Sequence, residues 1–189
     1  MNKRERVAVF IDGSNLYYRL RAPEFELPNL TYYDYAALAS YLAEGRDITY
    51  RGYYVGVVKV DPKSSDKKKA ELMQAQQVRL FNHLQSKKQM FTVKRGFLMK
   101  NDGKYHEKGV DVEIAVDIVK GAFKDLYDTA ILISSDTDLI PAMKVAREEG
   151  KRVEYIGFSN RPSFGMQNNA DLSRLLIKSE LIQFATVKK

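Results

Sequence analysis

At 189 residues, 44% of them hydrophobic, the chain is long enough for one well-covered core and short for two, so a single domain over residues 1–189 is expected. It has no cysteine and only two histidines, His83 and His106, which excludes disulfides, thiolate catalysis and sulfur-ligated metal centres and nearly excludes imidazole ones. The net charge of +7 attracts polyanions, although charge alone is as compatible with no anionic partner as with nucleic acid.

Val7-Ala8-Val9-Phe10-Ile11 is a continuous apolar run stopped by Asp12-Gly13-Ser14-Asn15, the pattern of a central parallel strand buried on both faces. The run is too short for a signal-peptide core or a membrane span, so a cytoplasmic protein without a membrane partner is expected. A loop around Pro23 and Pro28 leads to a helix over Asp34 to Ala43, where Leu38, Tyr41 and Leu42 fall at helical spacing before Gly45. Ile48 to Val58 reads as the second strand, and Asp66 to Ser86 as a helix with Ala70, Met73, Gln77, Leu80, Phe81 and Leu84 on one stripe.

Met90 to Val93 supplies a short third strand, and Lys94 to Lys108, with Asn101-Asp102-Gly103, a hairpin or excursion from the sheet. There follow a helix over Val110 to Phe123, a buried fourth strand over Ala130 to Ser134, a helix over Thr137 to Glu149 closed by Gly150, and a fifth strand over Arg152 to Gly157. The tail, 158–189, is expected to hold a loop, a short helix from Ala170 and an edge strand at Leu181 to Phe184. Alternating strands and helices joined by right-handed crossovers define an α/β, three-layer, doubly wound fold. Its mainly parallel sheet would have five to six strands with helices on both faces, and a core over about 7–157.

In such a sheet ligands bind at the carboxyl ends of the strands. Asp12 follows the first strand there, Asp136 and Asp138 follow the fourth, and Asp111 opens the helix that leads into the fourth. Each alone is more often a helix cap. Together they place mutually repelling carboxylates on one crevice of a basic protein, a cost that persists where a divalent cation neutralises it. Oxygen donors without nearby His or Cys suit Mg²⁺ or Mn²⁺, which can polarise a phosphate and activate a water, so the chemistry indicated is phosphodiester hydrolysis without a covalent intermediate. Asp117 falls about 120° around the helix from Asp111, where a surface pair with Lys120 or Lys124 competes with a supporting role.

The motifs Phe10-Ile11-Asp12-Gly13-Ser14-Asn15, Lys108-Gly109-Val110-Asp111-Val112 with Asp117, and Ser134-Ser135-Asp136-Thr137-Asp138 occur in order over Val7 to Gly157. They resemble the NYN domain, in its LabA-like branch within the PIN-like nucleases. The resemblance implies a PIN-like, Rossmann-like fold and an endoribonuclease that uses Mg²⁺ or Mn²⁺ on single-stranded RNA, with single-stranded DNA as a second substrate. Asp12, Asp111 and Asp136 match the catalytic, metal-binding positions; Asp138 joins the metal set; Asn15, Ser135 and Asp117 support it, with Ser135 standing where glycine is commoner.

Lys108, Lys94, Arg95 and Arg161 are the candidate nucleic-acid contacts, with Lys87, Lys88, Lys100 and Lys104, although each alone is more often a solvated charge. Tyr17, Tyr18, Phe97 and Tyr105 are candidates for base stacking. The alternatives are a noncatalytic nucleic-acid-binding or regulatory module of the same fold and a nucleotide phosphomonoesterase. Self-association into a homo-oligomer is left open. Neither a dinucleotide fingerprint nor a P-loop motif occurs.

Overall fold

The first apolar run forms strand β1 (Arg6–Asp12) in the middle of a seven-stranded sheet. The computed structural model describes residues 4–27, 29–60, 67–101 and 104–185, with the side chains of 99–101 and 104–106 outside the description. After β1 come α1 (Gly13–Leu20), a 3-10 turn (Leu30–Tyr32), α2 (Tyr35–Ala43), β2 (Asp47–Val57), α3 (Lys67–Leu84), β3 (Thr92–Asn101) and β4 (Lys104–Lys108). The second half comprises α4 (Val110–Phe123), β5 (Thr129–Ile133), a 3-10 turn (Thr137–Leu139), α5 (Ile140–Glu148), β6 (Arg152–Phe158), α6 (Phe164–Asn169), β7 (Leu172–Leu176) and α7 (Lys178–Ile182).

The strand order is β4-β3-β2-β1-β5-β6-β7, with only the β3–β4 hairpin antiparallel. Alternate residues of β1 feed two separate cores, because successive side chains of a strand point to opposite faces. Val7, Val9 and Ile11 pack with Leu16 and Leu20 of α1, Leu38 and Leu42 of α2, and Phe81 and Leu84 of α3. Ala8 and Phe10 pack with Ile114 and Ile118 of α4 and Ala142 and Met143 of α5. This is the expected three-layer α/β arrangement, and β2 and β5 flank β1 on opposite sides, so the chain reverses its direction of winding there.

Several elements differ from the sequence expectation. The sheet has seven strands rather than five to six, since β4 and β7 both join it. The short strand expected at Met90 to Val93 is the long β3, whose partner β4 pairs Asn101 with Lys104; the turn residues Asp102 and Gly103 lie outside the described residues, as does Pro28. Helix α1 was not expected, yet Leu16 and Leu20, one turn apart, are both buried. In the tail the expected order is reversed: Leu172–Leu176 is the edge strand and Lys178–Ile182 the helix. Leu181 and Phe184, three residues apart, turn into the core on one side, where the Tyr33 hydroxyl donates to the Leu181 carbonyl at 2.9 Å.

Arg46, between α2 and β2, fastens the amino-terminal side of the sheet. Its guanidinium donates to both oxygens of buried Glu154 on β6, at 2.7 and 2.9 Å, and to the carbonyls of Ala43 and Leu42 that end α2. Among the described residues no helix is long and apolar enough to cross a membrane.

Candidate functional site

Asp12 ends β1 at the switch point and is only 5% exposed. Its Oδ1 accepts from the Asn15 backbone N–H at 2.9 Å, capping α1, and its Oδ2 accepts from the Ser134 hydroxyl at 2.8 Å. Ser134 follows β5, and its Oγ in turn accepts from the Asp136 backbone N–H at 3.1 Å, so one buried hydroxyl joins the ends of the two central strands. Asp136 Oδ1 accepts from the Asp138 N–H at 2.9 Å and caps the 3-10 turn.

Asp111 lies half-buried in the first turn of α4. The entry to that turn requires Gly109, whose φ of +82° lies in the left-handed region that side chains rarely adopt. Gly96 of β3 lets the turn settle against the sheet: a Cβ there would lie 2.5 Å from Val110 Cγ2 and 2.8 Å from the Lys108 carbonyl oxygen.

The acids repel one another. Burial pushes the Asp12 carboxyl up to about 6, against the hydrogen bonds from Asn15 and Ser134, and the charges of Glu107 and Asp111 push it the same way. Asp111 is raised first by burial and then by Asp136, Glu107 and Asp138.

Glu107 of β4 joins these acids without belonging to any of the three sequence motifs. Its Oε1 accepts from the Ser14 hydroxyl at 3.0 Å and from the Gly56 N–H at the end of β2, and a Cβ at Gly56 would meet that oxygen at 2.7 Å. The one signal available was the hairpin itself, which folds the segment before Lys108 back over the strand ends. Glu107→Gln keeps an acceptor for both donors but removes the charge. It is expected to weaken Mn²⁺ binding about tenfold, read by titration calorimetry, with little change in Tm; an unchanged affinity would make Glu107 a clamp only.

All donors in the cluster are carboxylate oxygens, the chemistry that suits a hard cation. Among the described residues no three of them are gathered closely enough to form a preformed ion cage. That spread still fits Mg²⁺ or Mn²⁺ chemistry, in which one or two carboxylates serve and waters or substrate phosphates complete the shell.

The other expected site residues divide. Asn15 contributes its N–H to Asp12, while its buried side-chain oxygen has no hydrogen-bond partner among the described residues. The hydroxyl of Ser135, expected to support the site, lies 3.5 Å from the Tyr155 hydroxyl, while it is Ser134 that joins Asp12 to the Asp136 backbone. Asp117 lies further along α4, accepting from the Tyr54 and Tyr50 hydroxyls at 2.8 and 3.3 Å, with Lys94 Nζ at 3.5 Å. Lys94 is thus engaged under α4, whereas the Arg95 guanidinium stacks 4.8 Å over Phe81 of α3 on the opposite face; neighbours in a strand cannot line one groove.

Lys87 and Lys88 follow α3 at the amino-terminal edge, away from the acids, and Lys88 pairs with Asp34 at 2.8 Å. Lys108 and Arg161 are exposed at the carboxyl edge. Lys108 pairs in the sheet with Phe97, over whose ring Lys59, unexpected from sequence, sits at 4.9 Å. Tyr17 and Tyr18 are exposed on α1 with ring centroids 5.8 Å apart. The side chains of Lys100, Lys104 and Tyr105 lie outside the described residues.

A doubly wound α/β domain with an acidic cluster at its switch point is the class that this geometry defines. The chain belongs to the NYN domain family, whose model matches residues 6–175. An uncharacterised protein of Methanocaldococcus jannaschii is 42% identical over 62 residues, which cover 33% of this chain and 26% of that relative, so the match spans about a quarter of the relative's length. The crystal structure of a protein of unknown function from Vibrio parahaemolyticus has the same fold, with a TM-score of 0.63 at 18% identity, covering 93% of this chain and 95% of that one.

Proposed function

We propose that the chain is a divalent-metal-dependent nuclease of the LabA-like branch, a single-domain cytoplasmic endoribonuclease acting on single-stranded RNA. The observation that carries this reading is the buried Asp12 carboxylate, bridged through Ser134 to Asp136 and repelled by Glu107 and Asp111. Asp12, Asp111 and Asp136 are the residues that would hold Mg²⁺ or Mn²⁺, with Asp138 beside them. When bound, such an ion polarises the scissile phosphate and lowers the pKa of the attacking water.

The protein's own groups do the positioning. Asn15 and Ser134 fix both oxygens of Asp12, so little reorganisation accompanies the reaction. Lys108, Arg161 and Lys59 supply positive charge at the same edge to draw in the strand backbone. One observation favours a second reading, a module that binds RNA without cutting it: no three carboxylates are gathered into an ion cage among the described residues.

Incubation of end-labelled single-stranded RNA with Mn²⁺, Mg²⁺ or EDTA separates the two. Internal cleavage with either ion and none in EDTA is expected. Cleavage that persists in EDTA sinks the metal mechanism, and tight binding in Mn²⁺ without products makes the chain a binding module.

A further inference from the structure

The apolar stripe of α3 is only partly covered by the core. Ala70, Phe81 and Leu84 are buried, whereas Met73, Gln77 and Leu80 are half-exposed and wall a cavity of about 350 Å³ between α3, α1, the Leu30–Tyr32 turn, β2 and the β3–β4 hairpin. Tyr17 and Tyr18 stand over it, and it opens onto the carboxylate edge through Gly13, Ser14 and Glu107. Its volume falls in the range of small-ligand sites, roughly 300–1,000 Å³.

We infer that this cavity is a nucleobase subsite that takes one base of a single strand, in the nucleotide flanking the phosphate held at the carboxylates. The inference rests on the nuclease reading for its substrate class. An occupant that lies flat against Met73, Leu80 and the tyrosines and also reaches the edge at Ser14 and Glu107, where a cation held by the acids would draw a phosphate, has the two parts of a nucleotide. Apolar walls and aromatic rings hold bases by contact and stacking, which is tolerant of base identity.

The polar side chains on the β2 side of the cavity, Gln77, Tyr35 and Tyr53, are already engaged. The Gln77 amide bridges β2, its Oε1 accepting from the Val58 N–H at 3.0 Å and its Nε2 donating to the Gly56 carbonyl at 2.8 Å. The Tyr35 hydroxyl donates to the Leu30 carbonyl at 2.7 Å, and Tyr53 to Gly13 at 3.4 Å. On that wall base edges therefore meet few partners, and the affinity is set by the presence of a base more than by which base it is.

The test is an abasic scan of a fluorescein-labelled single-stranded RNA decamer, read by fluorescence polarisation in Ca²⁺. Removing one particular base is expected to raise Kd about tenfold for the wild type, and exchanging that base for another to change it less than threefold. Met73→Trp, which fills the cavity, should raise Kd for intact RNA by the same tenfold and erase the abasic penalty. Tyr17→Ala, at an exposed position, should raise Kd about threefold and covers the case in which the tryptophan variant fails to fold.

A flat abasic scan, or a folded Met73→Trp protein that keeps both the affinity and the penalty, overturns the subsite. The same RNAs in Mn²⁺ separate the two readings. An abasic penalty without cleavage sinks the nuclease reading and leaves the subsite, cleavage without a penalty does the reverse, and failure to bind RNA sinks both.

Discussion

Asp12→Asn is expected to lower the rate of RNA cleavage in Mn²⁺ on the order of a hundred- to a thousandfold while making the metal-free protein more stable at pH 8. The carboxamide oxygen can still accept from the Asn15 N–H, and the Ser134 hydroxyl can rotate to accept from the new amide, so the local geometry is kept. Burial raises the Asp12 carboxyl from 3.8 to about 6, which means the folded protein holds this proton to higher pH than the unfolded chain does. The resulting stabilisation is complete below about pH 4 and is lost as pH rises through about 6, and a shift of roughly two units corresponds to about 3 kcal/mol.

The asparagine variant lacks that slope. Urea unfolding in EDTA at pH 4.5 and pH 8 should therefore show the variant gaining on the wild type as pH rises. If the variant is instead the less stable protein at pH 8, Asp12 serves as a structural cap. Undiminished cleavage would remove it from the chemistry altogether.

The largest loss of stability is expected at the other edge of the sheet. Arg46→Ala leaves Glu154, whose side chain is 6% exposed, without its two guanidinium donors and uncaps the carbonyls of Leu42 and Ala43. Breaking such a pair from one side costs about 3–5 kcal/mol, which for a chain of this length lowers Tm by on the order of 10 °C. Arg46→Met combined with Glu154→Leu should recover most of the loss, since a matched apolar pair leaves no buried charge behind. A thermal melt of the three proteins decides it; an Arg46→Ala protein within 2 °C of the wild type would show that water reaches Glu154.

The central strands were legible because a strand buried on both faces needs an unbroken apolar run, and those runs end in Asp12 and in Ser134-Ser135-Asp136. Helix α1 was hidden by Tyr17 and Tyr18, which put aromatic side chains on the solvent face beside the buried Leu16 and Leu20. The edge strand β7 was hidden because Leu176 alone of its residues is fully covered, leaving no alternation to read.

Glu107 could not be placed from local pattern, as its position depends on β4 pairing back along β3 until its carboxylate reaches Gly56 and Ser14. The division of Lys94 from Arg95 was legible in principle: once both stand in one strand, period two sends them to opposite faces. Ser134 is the subtler case, since a hydroxyl at a strand end suggests a cap, and its bond to Asp12 exists only when β1 and β5 lie side by side.

Among the described residues strand β4 has a neighbouring strand on one side only, and Glu107 fastens it to β2 and α1 through a single carboxylate oxygen. Edge hairpins open locally at lower free energy than central strands. The charge that raises Asp12 and Asp111 is thus hung on the rim of the sheet, where a local opening of the hairpin, readable by amide hydrogen exchange, would carry it away from both acids while the sheet beneath kept its register.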